Sequence, residues 1–249
     1  MINFSINNCD YNCNLHKPNL NAKYGLAITF WKTNIQQLIF FLKYIDTWQN
    51  REFIDVSICS FMEAPEICSQ YCNHIIKCSI DGGHQDGTTL QCNGAMYPFF
   101  QNDKIVTITH TDADQFVLNE QYFFGQSNIL LDADKTILTS TVSYDFKNKK
   151  IVPHEELGKG VTEKQFGAFF VLNKRKNNGY WPFIPKGNFE SDRYEQFVKK
   201  FPIDEALILK RLEFSDRNCN MKHLDFHLGV FHNASAEHNL LDLMGKEIK

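Results

Sequence analysis

Between residues 23 and 125, continuous apolar runs alternate with stretches in which apolar residues recur every three or four positions. The apolar runs are bounded by turn residues, as buried strands are, and they are residues 24–31, 53–58, 74–80 and 104–110. The helical spacing predicts helices at residues 35–45, 64–72 and 88–100. Strands that alternate with helices in this way predict right-handed crossovers and a parallel sheet.

The rest of the chain is less regular. Residues 1–22 are Asn-rich and aperiodic, which indicates a loosely attached N-terminal arm. Further strands are predicted at residues 128–131, 137–150, 166–173 and 223–231, and further helices at residues 117–124 and 192–201. Because no change in composition marks a boundary, we expect one domain over residues 23–249.

Composition and charge narrow the class of protein. The chain has 249 residues, of which 43% are hydrophobic and 22% charged, so it carries enough apolar material for a folded core. A net charge of -3 argues against a nucleic acid as partner. No apolar run reaches the roughly 18 residues of a transmembrane segment, and the N-terminus does not resemble a signal peptide. We therefore expect a soluble, cytoplasmic protein.

The cysteines raise the question of a zinc site. The chain contains eight Cys residues, which should be reduced in the cytoplasm. Two Cys/His groups stand out, and they are Cys9, Cys13 and His16, and Cys68, Cys72 and His74. Neither has the two tightly spaced ligand pairs that are typical of zinc sites. This favours ordinary thiols over zinc.

A pair of carboxylates is the strongest chemical signal. Asp112 and Asp114 follow the apolar run 104–110 almost directly. Two carboxylates at the end of a buried strand can bind one hard divalent cation, and the carboxyl ends of the strands are where open α/β sheets bind ligands. A solvated turn is the alternative. Asp132 and Asp134 follow the run 128–131 and compete for the same role, but the four preceding elements place the first pair more centrally in the sheet.

The order of elements over residues 24–125, ending in Asp-x-Asp, resembles that of GT-A glycosyltransferases. Asn93-Gly94-Ala95 is similar to an Asn-x-Ala run of that family, whereas His110-Thr111 stand where it more often has apolar residues. The resemblance implies a single Rossmann-related domain with a mixed, mostly parallel sheet flanked by helices. Residues 23–125 would bind the nucleotide sugar, and residues 126–249 would bind the acceptor and supply a C-terminal lid.

The resemblance also implies site residues. Asp112 and Asp114 would hold Mn²⁺ or Mg²⁺ against the diphosphate of a donor such as a UDP- or GDP-sugar, and His232, or else His227, would complete the metal shell. Glu190 or Asp192 would activate the hydroxyl of a glycan, glycolipid or glycoprotein acceptor. The residues implied in donor binding are Thr29, Phe30, Trp31, Asp81, His84, Asn93 and Asp112.

Several of these residues have a structural alternative. Phe30 and Trp31 suit a buried core equally well, and Asp81 with the Gly-rich segment 82–87 suits a flexible turn. Asp192 also suits a helix cap, with Glu195 completing a capping box. His227 and His232 also suit ordinary positions in a strand.

Two other functions remain open. A sugar nucleotidyltransferase shares the alternating sheet and the acidic metal site, but Lys32-Thr33-Asn34 offers no glycine where such enzymes carry a Gly-rich signature. A non-catalytic carbohydrate- or Ca²⁺-binding module is the third candidate, although calcium loops usually gather more oxygen ligands than two Asp residues. The donor base, the sugar, the acceptor and the stereochemistry stay open.

Overall fold

The computed structural model describes residues 2–6, 9–81, 83–117, 120–132, 137–140, 142–145, 150–153, 170–176, 221–224 and 230–232. The strands are β1 Ile2–Ile6, β2 Cys9–His16, β3 Tyr24–Thr29, β4 Ile54–Ser60, β5 His74–Cys78, β6 Thr107–Asp112, β7 Gln115–Val117, β8 Ile137–Ser140, β9 Val142–Asp145, β10 Lys150–Pro153, β11 Phe170–Asn173, β12 Met221–Leu224 and β13 Val230–His232. The helices are α1 Ile35–Asp46, α2 Gly83–Phe100 and α3 Glu120–Asp132. Short 3-10 helices are Lys32–Asn34, Arg51–Phe53, Glu66–Gln70 and Lys174–Lys176. Within these ranges, every helix is too short or too polar to serve as a membrane span.

A nine-stranded mixed sheet forms the centre of the molecule, in the order β1-β2-β5-β4-β3-β6-β11-β8-β12. Its middle strands β5, β4, β3 and β6 are parallel, as the crossover pattern predicts. Antiparallel pairing joins β2 to one side of this group and β11 to the other. The prediction of a mixed α/β sheet flanked by helices is confirmed.

The two faces of the sheet bury separate hydrophobic clusters. On one face, Leu38, Phe41 and Ile45 of α1 pack with Val56 of β4, and their three- and four-residue spacing explains why this segment is helical. On the other face α2 lies close to the sheet. A Cβ added at Gly94 would stand 2.6 Å from the Cys59 sulfur and 2.8 Å from the Tyr11 ring, so a glycine is needed for this close approach.

The prediction of a loosely attached N-terminal arm is wrong for residues 2–6 and 9–16. β1 and β2 form an antiparallel hairpin, and β2 pairs with β5, so the hairpin extends the main sheet. Cys9, Tyr11 and Cys13 alternate with exposed polar residues and are at most 2% exposed. This period of two is typical of a strand with one buried face, but the Asn-rich composition obscured it.

Two more local predictions are wrong. Residues 128–131 are the last part of α3 and not a strand. A short apolar run does not by itself distinguish a strand from a buried helix, and here Phe123, Ser127 and Leu130 are buried at helical spacing. The segment predicted as a Gly-rich loop is helical from Gly83 onward.

Other predicted elements are shorter than expected. The helix predicted at 64–72 is the 3-10 helix Glu66–Gln70. The strand predicted at 223–231 becomes the two strands β12 and β13, and residues 225–229 between them lie outside the described residues. The helix predicted at 192–201 also lies outside them.

Candidate active site

The strand order places a topological switch point between β3 and β6. From β3 the chain adds β4 and then β5 on one side of the sheet, and it adds β6 on the other side. The crossovers on either side of β3 therefore run in opposite directions, and open α/β sheets bind ligands at the carboxyl ends of the strands at such a switch point. Thr29 and Asp112 end the two strands and are paired in register, so they lie at this switch point.

Thr29 fixes the orientation of Asp112. The Thr29 hydroxyl donates a hydrogen bond to Oδ1 of Asp112, and the Ala113 N–H donates to the Thr29 carbonyl at 2.8 Å. Thr29, Thr111 and Ala113 are buried, whereas Asp112 is partly exposed. The carboxylate is thus held by a buried partner and reached by solvent, as a ligand-binding group requires.

Asp112 also lies close to α2. Burial raises the pKa of the Cys92 thiol well above its usual value, and the negative charge of Asp112 adds to this effect. Cys92 is fully buried, so we expect it to remain a neutral thiol beside the carboxylate and not to act as a nucleophile.

A hydrogen-bonded turn carries Asp114. The Thr111 hydroxyl donates to the Gln115 carbonyl at 2.9 Å, which bridges the turn between β6 and β7. Asp114 lies in this turn and is partly exposed. β7 pairs with β13, and the backbone of His232 lies opposite Gln115, the residue that follows Asp114. The fold therefore brings the backbones of these two predicted metal ligands to the same region, while His227 lies outside the described residues.

The side chains at the switch point suit a hard divalent cation. Asp112 and Asp114 offer carboxylate oxygens, which Mg²⁺ and Mn²⁺ prefer, and both are partly exposed, so a hydrated ion and a phosphate can reach them. Of the competing pair, Asp132 is the last residue of α3, and Asp134 lies outside the described residues.

Two aromatic rings stand at the same edge of the sheet. Trp31 follows β3 and Phe61 follows β4, and their ring centroids are 5.4 Å apart. The backbone N–H of Trp31 donates to Oδ1 of Asn34 at 2.7 Å, which holds the backbone at this point. Both rings are partly exposed, whereas Phe30 is completely buried in the core beside α1. Phe61 is not among the candidate site residues predicted from the sequence, although its position shortly after the predicted strand 53–58 indicates the same edge of the sheet.

The remaining predicted residues are spread over other positions. Asp81 is exposed and lies three residues beyond the end of β5, at the same edge of the sheet. His84 lies in the first turn of α2. Asn93 is completely buried within α2, so its side chain is not exposed for contact with a donor. Glu190 and Asp192 lie outside the described residues.

No protein-family model and no curated protein sequence matches the chain. A solved structure of 4-diphosphocytidyl-2C-methyl-D-erythritol synthase from Anaerococcus prevotii is similar over 92% of this chain and 100% of its own, with 12% identity and a TM-score of 0.48. A cytidylyltransferase from Leptospira borgpetersenii is similar over 86% of this chain and 79% of its own, with 11% identity and a TM-score of 0.45. A mutant Drosophila beta-1,4-galactosyltransferase 7, in complex with manganese, UDP-Gal and xylobiose, covers 86% of this chain and 73% of its own, with 12% identity and a TM-score of 0.41. Similarity at this level concerns the course of the chain and not its activity.

Proposed function

We propose that the chain is a metal-dependent glycosyltransferase, which moves a sugar from a nucleotide-sugar donor to a hydroxyl group of a glycan, glycolipid or glycoprotein. The observation that supports this most directly is the position of Asp112. Its carboxylate ends β6 at the switch point of the sheet, is held by the Thr29 hydroxyl, and is followed across a short turn by Asp114.

The residues of the site fit the demands of glycosyl transfer. Asp112 and Asp114, with His232 as a third candidate, would hold Mn²⁺ or Mg²⁺. When bound, the ion supplies a Lewis acid for the departing diphosphate. Trp31 and Phe61 offer partly exposed aromatic surface on which the base or ribose of the donor can pack. For an inverting reaction, Glu190 or Asp192 would take the proton of the acceptor hydroxyl.

A sugar nucleotidyltransferase remains the alternative, because it would use the same sheet and the same acidic residues. The segment after β3 favours glycosyl transfer. Residues Lys32–Asn34 form a 3-10 helix, tied to Trp31 by the Asn34 side chain, that leads directly into α1. A Gly-rich loop that could wrap a triphosphate is therefore missing from this place in the described chain.

The test is a panel of nucleotide sugars in a thermal-shift assay. UDP-, GDP-, CMP- and TDP-sugars are each added with and without Mn²⁺. The proposal predicts that the nucleotide sugars of one base raise the melting temperature, and that they do so only when Mn²⁺ is present. The protein is then incubated with that donor, which water should slowly hydrolyse to the free sugar and the nucleoside diphosphate, or to CMP in the case of a CMP-sugar. Release of pyrophosphate from a nucleoside triphosphate and a sugar 1-phosphate would instead identify a nucleotidyltransferase. A shift with free sugars or Ca²⁺ alone would identify a binding module.

A further inference from the structure

Three potential metal ligands lie close together near the amino ends of the parallel strands, whereas the candidate active site lies at their carboxyl ends. Cys13 and His16 lie on β2, and His74 is the first residue of β5, so the group joins one Cys/His cluster of the sequence with a member of the other. One ligand atom from each side chain lies within 4.8 Å of the others. His74 stands at the amino end of the parallel strands, whereas Thr29 and Asp112 stand at their carboxyl ends. The two sites are therefore separate.

An irregularity in β2 explains why Cys13 and His16 share a face. Residues three apart in a regular strand point to opposite faces. The pairing of β2 with β5 shifts register between Cys13 and Leu15, which is typical of a β-bulge with one extra residue. Cys13 accordingly packs in the cluster beneath α2, whereas Leu15 packs in the cluster on the other face. Beyond the bulge, His16 returns to the face of Cys13 and pairs in register with His74.

His74 is buried in a way that favours a metal ligand. It is only 1% exposed, and its Nδ1 has no hydrogen-bond partner among the described residues. Its Nε2 lies 3.1 Å from Oδ1 of Asp55, which is equally buried, but the two atoms are not aligned for a hydrogen bond. A buried imidazole nitrogen without a partner is costly. A metal-bound histidine commonly places its second nitrogen beside a carboxylate, and the Asp55 carboxylate stands at this place beside His74.

We propose that Cys13, His16 and His74 bind a zinc ion that fastens the N-terminal hairpin to β5. One sulfur and two imidazoles are ligands that zinc prefers. In a tetrahedral site the ligand atoms stand about 3.5 Å apart, given zinc bonds of about 2.0 to 2.3 Å. The ligand atoms now stand up to 4.8 Å apart, and the exposed His16 side chain can move to shorten this distance. Because His16 is exposed, water can reach the fourth position of the ion. The Cys13 thiol, which now donates to the Leu15 carbonyl at 2.9 Å, releases its proton to solvent on binding.

The experiment uses the full chain, treated with a chelator and then titrated with Co²⁺ and Zn²⁺. The proposal predicts one equivalent of Co²⁺ with the absorption of a tetrahedral cobalt–thiolate centre, displaced by Zn²⁺, and a zinc-dependent rise in melting temperature. His16→Ala changes an exposed side chain, so the variant should fold. It should weaken zinc binding about a hundredfold or more, since loss of an outer partner alone costs 10- to 100-fold. Cys13→Ser should also lose the cobalt–thiolate band.

Two control variants separate this site from the alternatives. Cys68→Ser removes an equally buried thiol of the other sequence cluster, and Asp114→Asn alters the candidate active site. Both should keep the cobalt spectrum and the zinc-dependent melting shift. The proposal is overturned if wild-type protein gives no tetrahedral cobalt–thiolate spectrum, or if His16→Ala and Cys13→Ser bind both ions like wild type.

Discussion

Replacing Thr29 by Val removes the hydroxyl that holds Asp112 and leaves the size of the side chain almost unchanged. Thr29 is completely buried and its hydroxyl donates to the carboxylate. Hydrogen bonds to charged groups contribute about 1.5 to 3 kcal/mol. Because Asp112 is partly exposed, water can replace part of the lost bond, so we expect the free energy of unfolding to fall by about 1 to 2 kcal/mol.

The effect on function should be larger than the effect on stability. Under the proposed function, Thr29 would act on the metal only through Asp112, and outer partners of this kind change metal affinity by about 10- to 100-fold. We therefore expect Mn²⁺-dependent donor binding to weaken by that factor in Thr29→Val, while donor binding without metal stays unchanged.

Thr109 provides a matched control on the neighbouring strand. It is 1% exposed, and its hydroxyl has no hydrogen-bond partner among the described residues. Thr109→Val therefore removes a buried hydroxyl that makes no bond, and it should leave stability unchanged or raise it. Urea unfolding and calorimetric donor titrations measure both effects. If the two variants behave alike in both assays, the assigned role of the Thr29 hydroxyl is refuted.

Three further predictions concern packing, pH and the aromatic surface. Gly94→Ala should lower the free energy of unfolding by about 1 to 3 kcal/mol, because the added methyl group overpacks the core. Gly125→Ala in α3, where an added Cβ meets nothing within 4 Å, should raise the free energy of unfolding by about 0.4 to 1 kcal/mol. Equal urea midpoints for the two variants would contradict this. Burial raises the pKa of the Cys68 thiol from 9.0 to about 11, so the stability gained by keeping this thiol neutral is complete below pH 9.0 and is lost as the pH rises toward about 11. Under reducing conditions, the free energy of unfolding of Cys68→Ser should therefore fall less steeply between these pH values than that of wild type. Equal slopes would show that this thiol does not contribute. Trp31→Ala should weaken donor binding roughly 5- to 160-fold in a calorimetric titration, since stacking contributes about 1 to 3 kcal/mol, and an unchanged affinity would remove the ring from the site.

The parallel centre of the sheet could be predicted because buried strands are apolar on both faces. Residues 54–60 and 24–29 are almost completely buried, so their hydrophobicity marks them in the sequence without any knowledge of their partners. The hairpin β1–β2 escaped prediction because only one face of β2 is buried, and polar residues occupy the other. α3 was misread because its apolar residues Ile129 to Leu131 form a run too short to show a period.

The two candidate sites differ in how far the sequence indicates them. Asp112 and Thr29 could be found because Thr29 lies near the end of the predicted strand 24–31 and Asp112 just after the predicted strand 104–110, and parallel strands bring their carboxyl ends to one edge. The group of Cys13, His16 and His74 could not be found by spacing. Its members come from separate segments, and they meet only through the pairing of β2 with β5 and the shift of register within β2.

The central claim is that Asp112 and Asp114 hold a divalent metal against a nucleotide-sugar donor. Isothermal titration of the donor identified by thermal shift, with and without Mn²⁺, tests it in wild type, Asp114→Asn and Asp132→Asn. We expect Asp114→Asn to abolish Mn²⁺-dependent binding while its melting temperature stays near that of wild type, and Asp132→Asn to bind like wild type. Loss of metal-dependent binding in Asp132→Asn, with binding intact in Asp114→Asn, would contradict the account.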